Sequence, residues 1–237
     1  MKRMVDILKR WVSCVVGAWL LVSCGAMSPR WKPVEKVVVP EPREGVPRVL
    51  FVGNSFSFGV PRVVAEESIR EGSRWDVGRV TRGGWTLEKH VENPETLAAI
   101  RNGKWDVVVL QEQSRIPSVP WQRKTRMIPA ARKLAAEVRA AGAVPVFYQT
   151  WGYRGGDEWR KGDDFAAMNA RLREGYGEAG ETLGMQVVPV GDAWEREVRA
   201  GRGGRLFDAD GKHPSEAGDE VTARVFLERL AELRKRR

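Results

Sequence analysis

Two short runs, Val49-Leu50-Phe51-Val52 and Val107-Val108-Val109-Leu110, are apolar without a break. A strand with one wet face alternates apolar and polar residues; a strand with no wet face reads as these two do. Such strands belong to parallel sheets covered by helices on both sides, so the chain must supply helices between them. Helical patterns are expected over 61–71, about 95–102, 128–141, 163–183 and 193–199, and in a last segment that Ser215 caps and that runs to about 234. Weaker strand signals fall at 75–80, 144–148 and 185–190. Alternating strands and helices require right-handed crossovers. The predicted fold is α/β: a three-layer α/β/α sandwich of about five mostly parallel strands.

The 237 residues, 42% of them hydrophobic, suffice for one sizeable core. The first residues stand apart from it. Lys2, Arg3, Lys9 and Arg10 precede a short apolar stretch from Trp11 to Val22, and Leu21-Val22-Ser23-Cys24 resembles a bacterial lipobox. This predicts a lipoprotein signal peptide over 1–23, with Cys24 carrying lipid and tying the protein to the cell envelope at a membrane. Pro29, Pro33, Pro40 and Pro42 make 24–46 a linker by composition. The folded domain is expected over 47–237. Cys14 lies in the discarded stretch, so the domain holds no cysteine for a disulfide. The formal charge of +9 is interspersed with glutamates and not gathered around aromatic platforms, which argues against a nucleic-acid partner.

In an open parallel sheet, ligands bind beyond the carboxyl ends of the strands. Ser55 follows the first expected strand in a Gly53-Asn54-Ser55 turn. Gly83 and Gly84 follow the second, Gln111-Glu112-Gln113 the third, and Gln149 and Trp151 the fourth. Asp210 and His213 lie beyond the fifth. A hydroxyl, an imidazole and a carboxylate are the parts of nucleophilic hydrolysis. Only two histidines are present, which narrows the base to His213 or His90; His90 is expected to be a structural or rim residue on a helix. Ser57 competes with Ser55, and Asp208 with Asp210. Two histidines and no spare cysteine do not build a usual zinc site, and no phosphate loop follows a strand, so neither metal nor cofactor is expected.

Gly53-Asn54-Ser55, Gly84-Trp85-Thr86 and Asp210-Gly211-Lys212-His213-Pro214 resemble the conserved blocks of the SGNH, or GDSL-type, hydrolases. The resemblance covers about 47–237 and implies a flavodoxin-like fold and ester hydrolysis. It implies Ser55 as nucleophile, His213 as base and Asp210 as its acid. It also implies an oxyanion hole made by the N–H groups of Ser55 and Gly84 and by a side-chain amide. The family's third block is usually Gly-x-Asn-Asp; here Gln113 takes the place of the Asn, with Gln111 as the alternative. Gln149 and Trp151 are candidates to contact substrate, with a place in the core as the equal alternative for Trp151. The implied substrate is a small ester, foremost an acyl (acetyl) group on a carbohydrate. Acyl transfer to a glycan acceptor and an inactive glycan-binding lipoprotein are the alternatives.

Overall fold

The computed structural model describes residues 36–235. The expected signal peptide, Cys24 and the first part of the 24–46 segment lie outside the described residues. One sheet of six strands has the order β1-β3-β2-β4-β5-β6. The strands are β1 (Lys36–Val38), β2 (Arg48–Gly53), β3 (Asp76–Thr81), β4 (Val107–Leu110), β5 (Val144–Tyr148) and β6 (Gln186–Val188). β1 runs antiparallel to β3; all other neighbours are parallel. The helices are α1 (Val60–Arg70), α2 (Leu87–Glu92), α3 (Pro94–Asn102), α4 (Pro120–Gln122), α5 (Ile128–Ala140), α6 (Phe165–Leu183), α7 (Val190–Arg199) and α8 (Glu216–Lys235). α4 passes into α5 through a π-turn at Arg123–Met127.

The unbroken apolar runs are explained by helices on both faces. Successive side chains on β5 point to opposite sides. Tyr148 meets Phe226 of α8 edge-on at 4.9 Å, while Phe147 meets Tyr176 of α6 at 5.8 Å. Phe226 also packs on Phe51 of β2 at 4.9 Å; burying one such ring stabilises the fold by about 2 kcal/mol. β2 and β4 are buried at every position. Chain order reverses on the two sides of β2, because β3 lies on one side of it and β4 on the other. A crevice opens at such a switch point, outside the strand ends.

Two features differ from the expectation, while α2 is the helix expected around His90. The segment expected as linker is part of the sheet from Lys36 onward: Val37 pairs with Val80, and Val38 with Arg79. Its spaced prolines read as linker and conceal a three-residue edge strand. Farther along, Arg43 Nε donates to the buried Asp76 at 2.9 Å, fixing the segment to β3. The last strand stops at Val188, and α7 begins at Val190. Pro189 has no N–H to continue a ladder. α2 is a separate short helix that Thr86 caps, its side chain accepting from Lys89 N–H. Among the described residues no helix is long and apolar enough to cross a membrane.

Candidate active site

The turn after β2 is built around close approach. A Cβ on Gly53 would stand 2.4 Å from Gln111 Oε1, so no larger residue fits there. That oxygen accepts the Asn54 N–H at 2.8 Å and the Ser57 hydroxyl at 3.1 Å. Gln111 Nε2 donates to Asn54 Oδ1 at 3.0 Å. Asn54 caps the short 3-10 turn Ser55–Ser57, and its Nδ2 donates to the Trp85 carbonyl at 3.0 Å. The turn therefore cannot shift without breaking buried hydrogen bonds, and it presents Ser55 toward solvent.

Ser55 Oγ lies 2.9 Å from His213 Nε2. His213 Nδ1 lies 2.5 Å from Asp210 Oδ2. Oδ1 of Asp210 accepts the N–H groups of Lys212 and His213 at 2.8 and 2.9 Å, so one short loop orients its own imidazole. Burial alone would raise the Asp210 carboxyl; the His213 ring and the two N–H donors outweigh it and hold Asp210 below the ordinary carboxylate range. Serine, imidazole and carboxylate are thus in hydrogen-bonded sequence, the arrangement that activates a hydroxyl for attack.

These groups open into a cavity of about 280 Å³ lined by Asn54, Ser55, Phe56, Gly83, Gly84, Gln113, Ser114, Tyr153, Lys212 and His213. Gly84 has φ +67°, which favours glycine at that turn. Among the described residues neither the Ser55 N–H nor the Gly84 N–H has an intramolecular partner. Gln113 borders the cavity, its Nε2 donating to Ser114 Oγ at 3.2 Å. Gln111 does not border it: its amide is buried and committed to Asn54 and the Glu112 carbonyl. Ser57 is buried on Gln111. The Asp208 backbone pairs with His213, while the side-chain contact to the ring comes from Asp210.

Gln149 and Trp151 require correction, for neither reaches the cavity. Gln149 is buried and donates to Asp192 Oδ1 at 3.0 Å. Trp151 is buried, stacked between Phe56 at 4.9 Å and Trp194 at 3.8 Å. Its Nε1 donates to the Lys212 carbonyl at 3.0 Å. The loop carrying His213 covers the end of β5, so these side chains support the site from behind. Phe56 carries that support forward, its ring edge-on to His213 at 5.3 Å.

Three residues went unassigned in the sequence. Tyr153 borders the cavity; its hydroxyl is 2.5 Å from Ser114 Oγ, and burial pushes its phenol above the ordinary value. Ser114 adjoins it there. Glu112 is fully buried, and desolvation raises its carboxyl to about 7 against the pull of N–H donors from Gln113 and Leu87. No periodicity marks these positions, since each lies in a loop. His90 is structural, as expected. Its Nε2 lies 2.9 Å from the Gly53 carbonyl and its Nδ1 3.0 Å from Thr96 Oγ1. Among the described residues no group of three His, Cys, Asp or Glu side chains could hold a metal ion.

No family model matches the sequence, and no curated protein matches it. Solved structures do. A protein of Bacteroides uniformis from the DUF4886 family has a TM-score of 0.68 at 21% identity, over 77% of this chain and 82% of that one. A carbohydrate esterase of family 3 from Talaromyces cellulolyticus has a TM-score of 0.60 at 17% identity, over 81% of this chain and all of its own. Both share the fold. A protein of Slackia heliotrinireducens described as an SGNH hydrolase is 32% identical, with a TM-score of 0.65, over 77% of this chain and 98% of that one. At that identity and coverage, the chain belongs to the SGNH family of ester hydrolases.

Proposed function

We propose that the protein is a serine esterase that removes a small acyl group, foremost acetyl, from a carbohydrate through an acyl-enzyme on Ser55. The observation that carries this reading is the relay from Ser55 Oγ to His213 Nε2 and from Nδ1 to Asp210, open to a cavity that two unpaired N–H groups also border. As Ser55 Oγ bonds to the ester carbon, its proton passes to Nε2. The carbonyl oxygen takes up the charge, facing the N–H groups of Ser55 and Gly84 and the Gln113 amide; each such donor is worth roughly 3 kcal/mol of barrier. Nε2 then protonates the departing alcohol. Water repeats the sequence: it attacks the acyl carbon, its proton goes to Nε2, and the Ser55–acyl bond breaks with that proton returning to Oγ.

A cavity of about 280 Å³ suits a short acyl chain with part of a sugar ring. Trp159 is 75% exposed, with the guanidinium of Arg115, the residue after the cavity-lining Ser114, 5.7 Å from its ring centroid, and its neighbour Glu158 paired with the cavity-lining Lys212. An exposed indole tied through its neighbours to the residues of that cavity is a surface on which a sugar can stack. The Talaromyces cellulolyticus neighbour, a carbohydrate esterase, agrees with that substrate class. On the Leu21–Cys24 motif, the enzyme is held at the cell envelope by lipid on Cys24.

The test is hydrolysis of a chromogenic acetyl ester and of an acetylated xylo-oligosaccharide. Parent turnover that Ser55→Ala and His213→Ala each reduce by at least about 10³-fold supports the mechanism. Equal rates in all three proteins would sink it. Assay of cell fractions belongs to the same experiment: activity is expected with the membranes for the parent and in the soluble fraction for Cys24→Ala.

A further inference from the structure

The three residues after β4 divide the work of assembling the cavity. Gln111 turns toward β2 and ties down the Asn54–Ser57 turn. Gln113 borders the cavity. Glu112, between them, reaches instead to the start of α2. Its Oε1 accepts the Leu87 N–H at 3.2 Å and the Gln113 N–H at 2.6 Å. Leu87 opens α2, three residues beyond Gly84. The Glu112 N–H donates to the Tyr176 hydroxyl at 3.3 Å, which fixes the Glu112 backbone to α6.

One oxygen thus holds the two loops that flank the acyl carbonyl, one carrying Gly84 and the other Gln113. The other oxygen, Oε2, is buried without a hydrogen-bond partner. A buried carboxyl with an unsatisfied atom is a poor choice for stability alone, and such a group calls for another explanation. The side chain must be long enough to reach two N–H groups on different loops, and its accepting oxygen must face both.

We propose that Glu112 is a positioning residue of the oxyanion hole, its Oε1 setting the separation between the Gly84 turn and the Gln113 loop so that their donors converge on the carbonyl bonded at Ser55. This rests on the esterase reading. Glutamine keeps an acceptor oxygen at the same reach; aspartate keeps the charge and loses the reach; alanine loses both.

The experiment measures kcat and KM for p-nitrophenyl acetate, and the rate of Ser55 labelling by a fluorophosphonate, in the parent, Glu112→Gln, Glu112→Asp and Glu112→Ala full-length proteins. Displaced donors cost on the order of 10²-fold in rate. Glu112→Ala and Glu112→Asp are expected to lose about that much kcat with KM within roughly threefold. Glu112→Gln is expected to stay within roughly fivefold of the parent. Folding of each variant is checked by its near-UV dichroism, and if Glu112→Ala does not fold, the Gln and Asp pair decides. A folded Asp variant with parental kcat overturns the assignment, and so does a Gln variant that falls as far as Asp. A parent that neither labels nor turns over overturns the esterase reading and Glu112 with it. A parent that does both, matched by all its variants, overturns Glu112 alone.

Discussion

The two histidines approach the same turn from opposite sides, each with Nε2 at 2.9 Å: His90 from the Gly53 carbonyl, His213 from the Ser55 hydroxyl. Their surroundings differ in kind. His90 is fully buried, and burial, helped by the nearby Arg82 charge and opposed by the Gly53 hydrogen bond, lowers its imidazole to about 4. An imidazole in that state stays neutral near pH 7 and serves as a fixed donor. With the carbonyl able only to accept, its proton belongs on Nε2, and Nδ1 takes the Thr96 hydroxyl. His213 is half-buried, on a surface loop, with the Asp210 carboxylate at its other nitrogen. A base that gains and loses a proton, the role proposed for His213, needs a partner for its charge; a structural donor does not. The core-side histidine would be disabled as a base by the same desolvation that makes it a rigid support.

Asp210→Asn breaks the comparison most severely. The amide can no longer stabilise an imidazolium, and it presents a donor to a nitrogen that must itself donate. The Lys212 and His213 N–H groups can still reach the side-chain oxygen, so the loop is expected to keep its shape. The expected loss in kcat is about 10³-fold or more, by analogy with the same change in serine proteases, with thermal stability lowered by only a few degrees. A single-turnover assay beside a melting curve measures both. Parental kcat in a folded variant would mean that Asp210 only shapes the loop.

Much of this was legible in the sequence. Unbroken apolar runs identify β2 and β4 because both faces of the sheet are covered, and the scarcity of histidine leaves few candidates for a base. The order of Ser55, Asp210 and His213 is readable because the chemistry admits few residue types. Side-chain direction after a strand is not readable. Gln111 and Gln113 have the same amide, yet one is buried against the Asn54 turn and the other borders the cavity. Gln149 and Trp151 follow a strand end as Ser55 does, yet another loop closes over them. β1 was hidden for a different reason: a three-residue edge strand has too little pattern to stand out among prolines, and its pairing with β3 is a property of the assembled sheet.

His90→Gln sharpens the comparison from the buried side. For His90 the folded-state pKa lies below the unfolded value of 6.5, so the folded protein binds fewer protons between about 4 and 6.5. Its contribution is present above pH 6.5 and lost as pH falls toward 4, by about 3 kcal/mol. Glu112 acts with the opposite sign: its folded value of about 7 lies above 4.5, so stability is lost as pH rises through that window. In the parent the two trends oppose each other between 4.5 and 6.5. Removing His90 is expected to expose the Glu112 trend, so that the urea midpoint of His90→Gln declines from pH 4.5 to 7. A parent and variant whose midpoints differ by a constant across pH 4–8 would show that His90 titrates normally.

Trp151→Phe is the mildest change and asks how far the surface loop depends on the core. The indole sits between Phe56 and Trp194, and its one polar atom holds the Lys212 carbonyl, adjacent to His213. Phenylalanine keeps an aromatic ring in the stack and removes that hydrogen bond, at a stability cost of about 1–2 kcal/mol with the lost volume included. The loop has other attachments: the Arg154 N–H on the Gly211 carbonyl, the Asp208–His213 backbone pair and the Phe207–Pro214 bridge. If the tryptophan fixes the height of the imidazole over Ser55, kcat falls about fivefold with KM unchanged, since a small displacement of a reacting group is felt in the rate first. If kcat is parental while the melting temperature drops, the loop holds its own geometry through Asp210, and the aromatic stack contributes to stability alone. That outcome would make the two histidines independent: one set by the core, the other by its own loop.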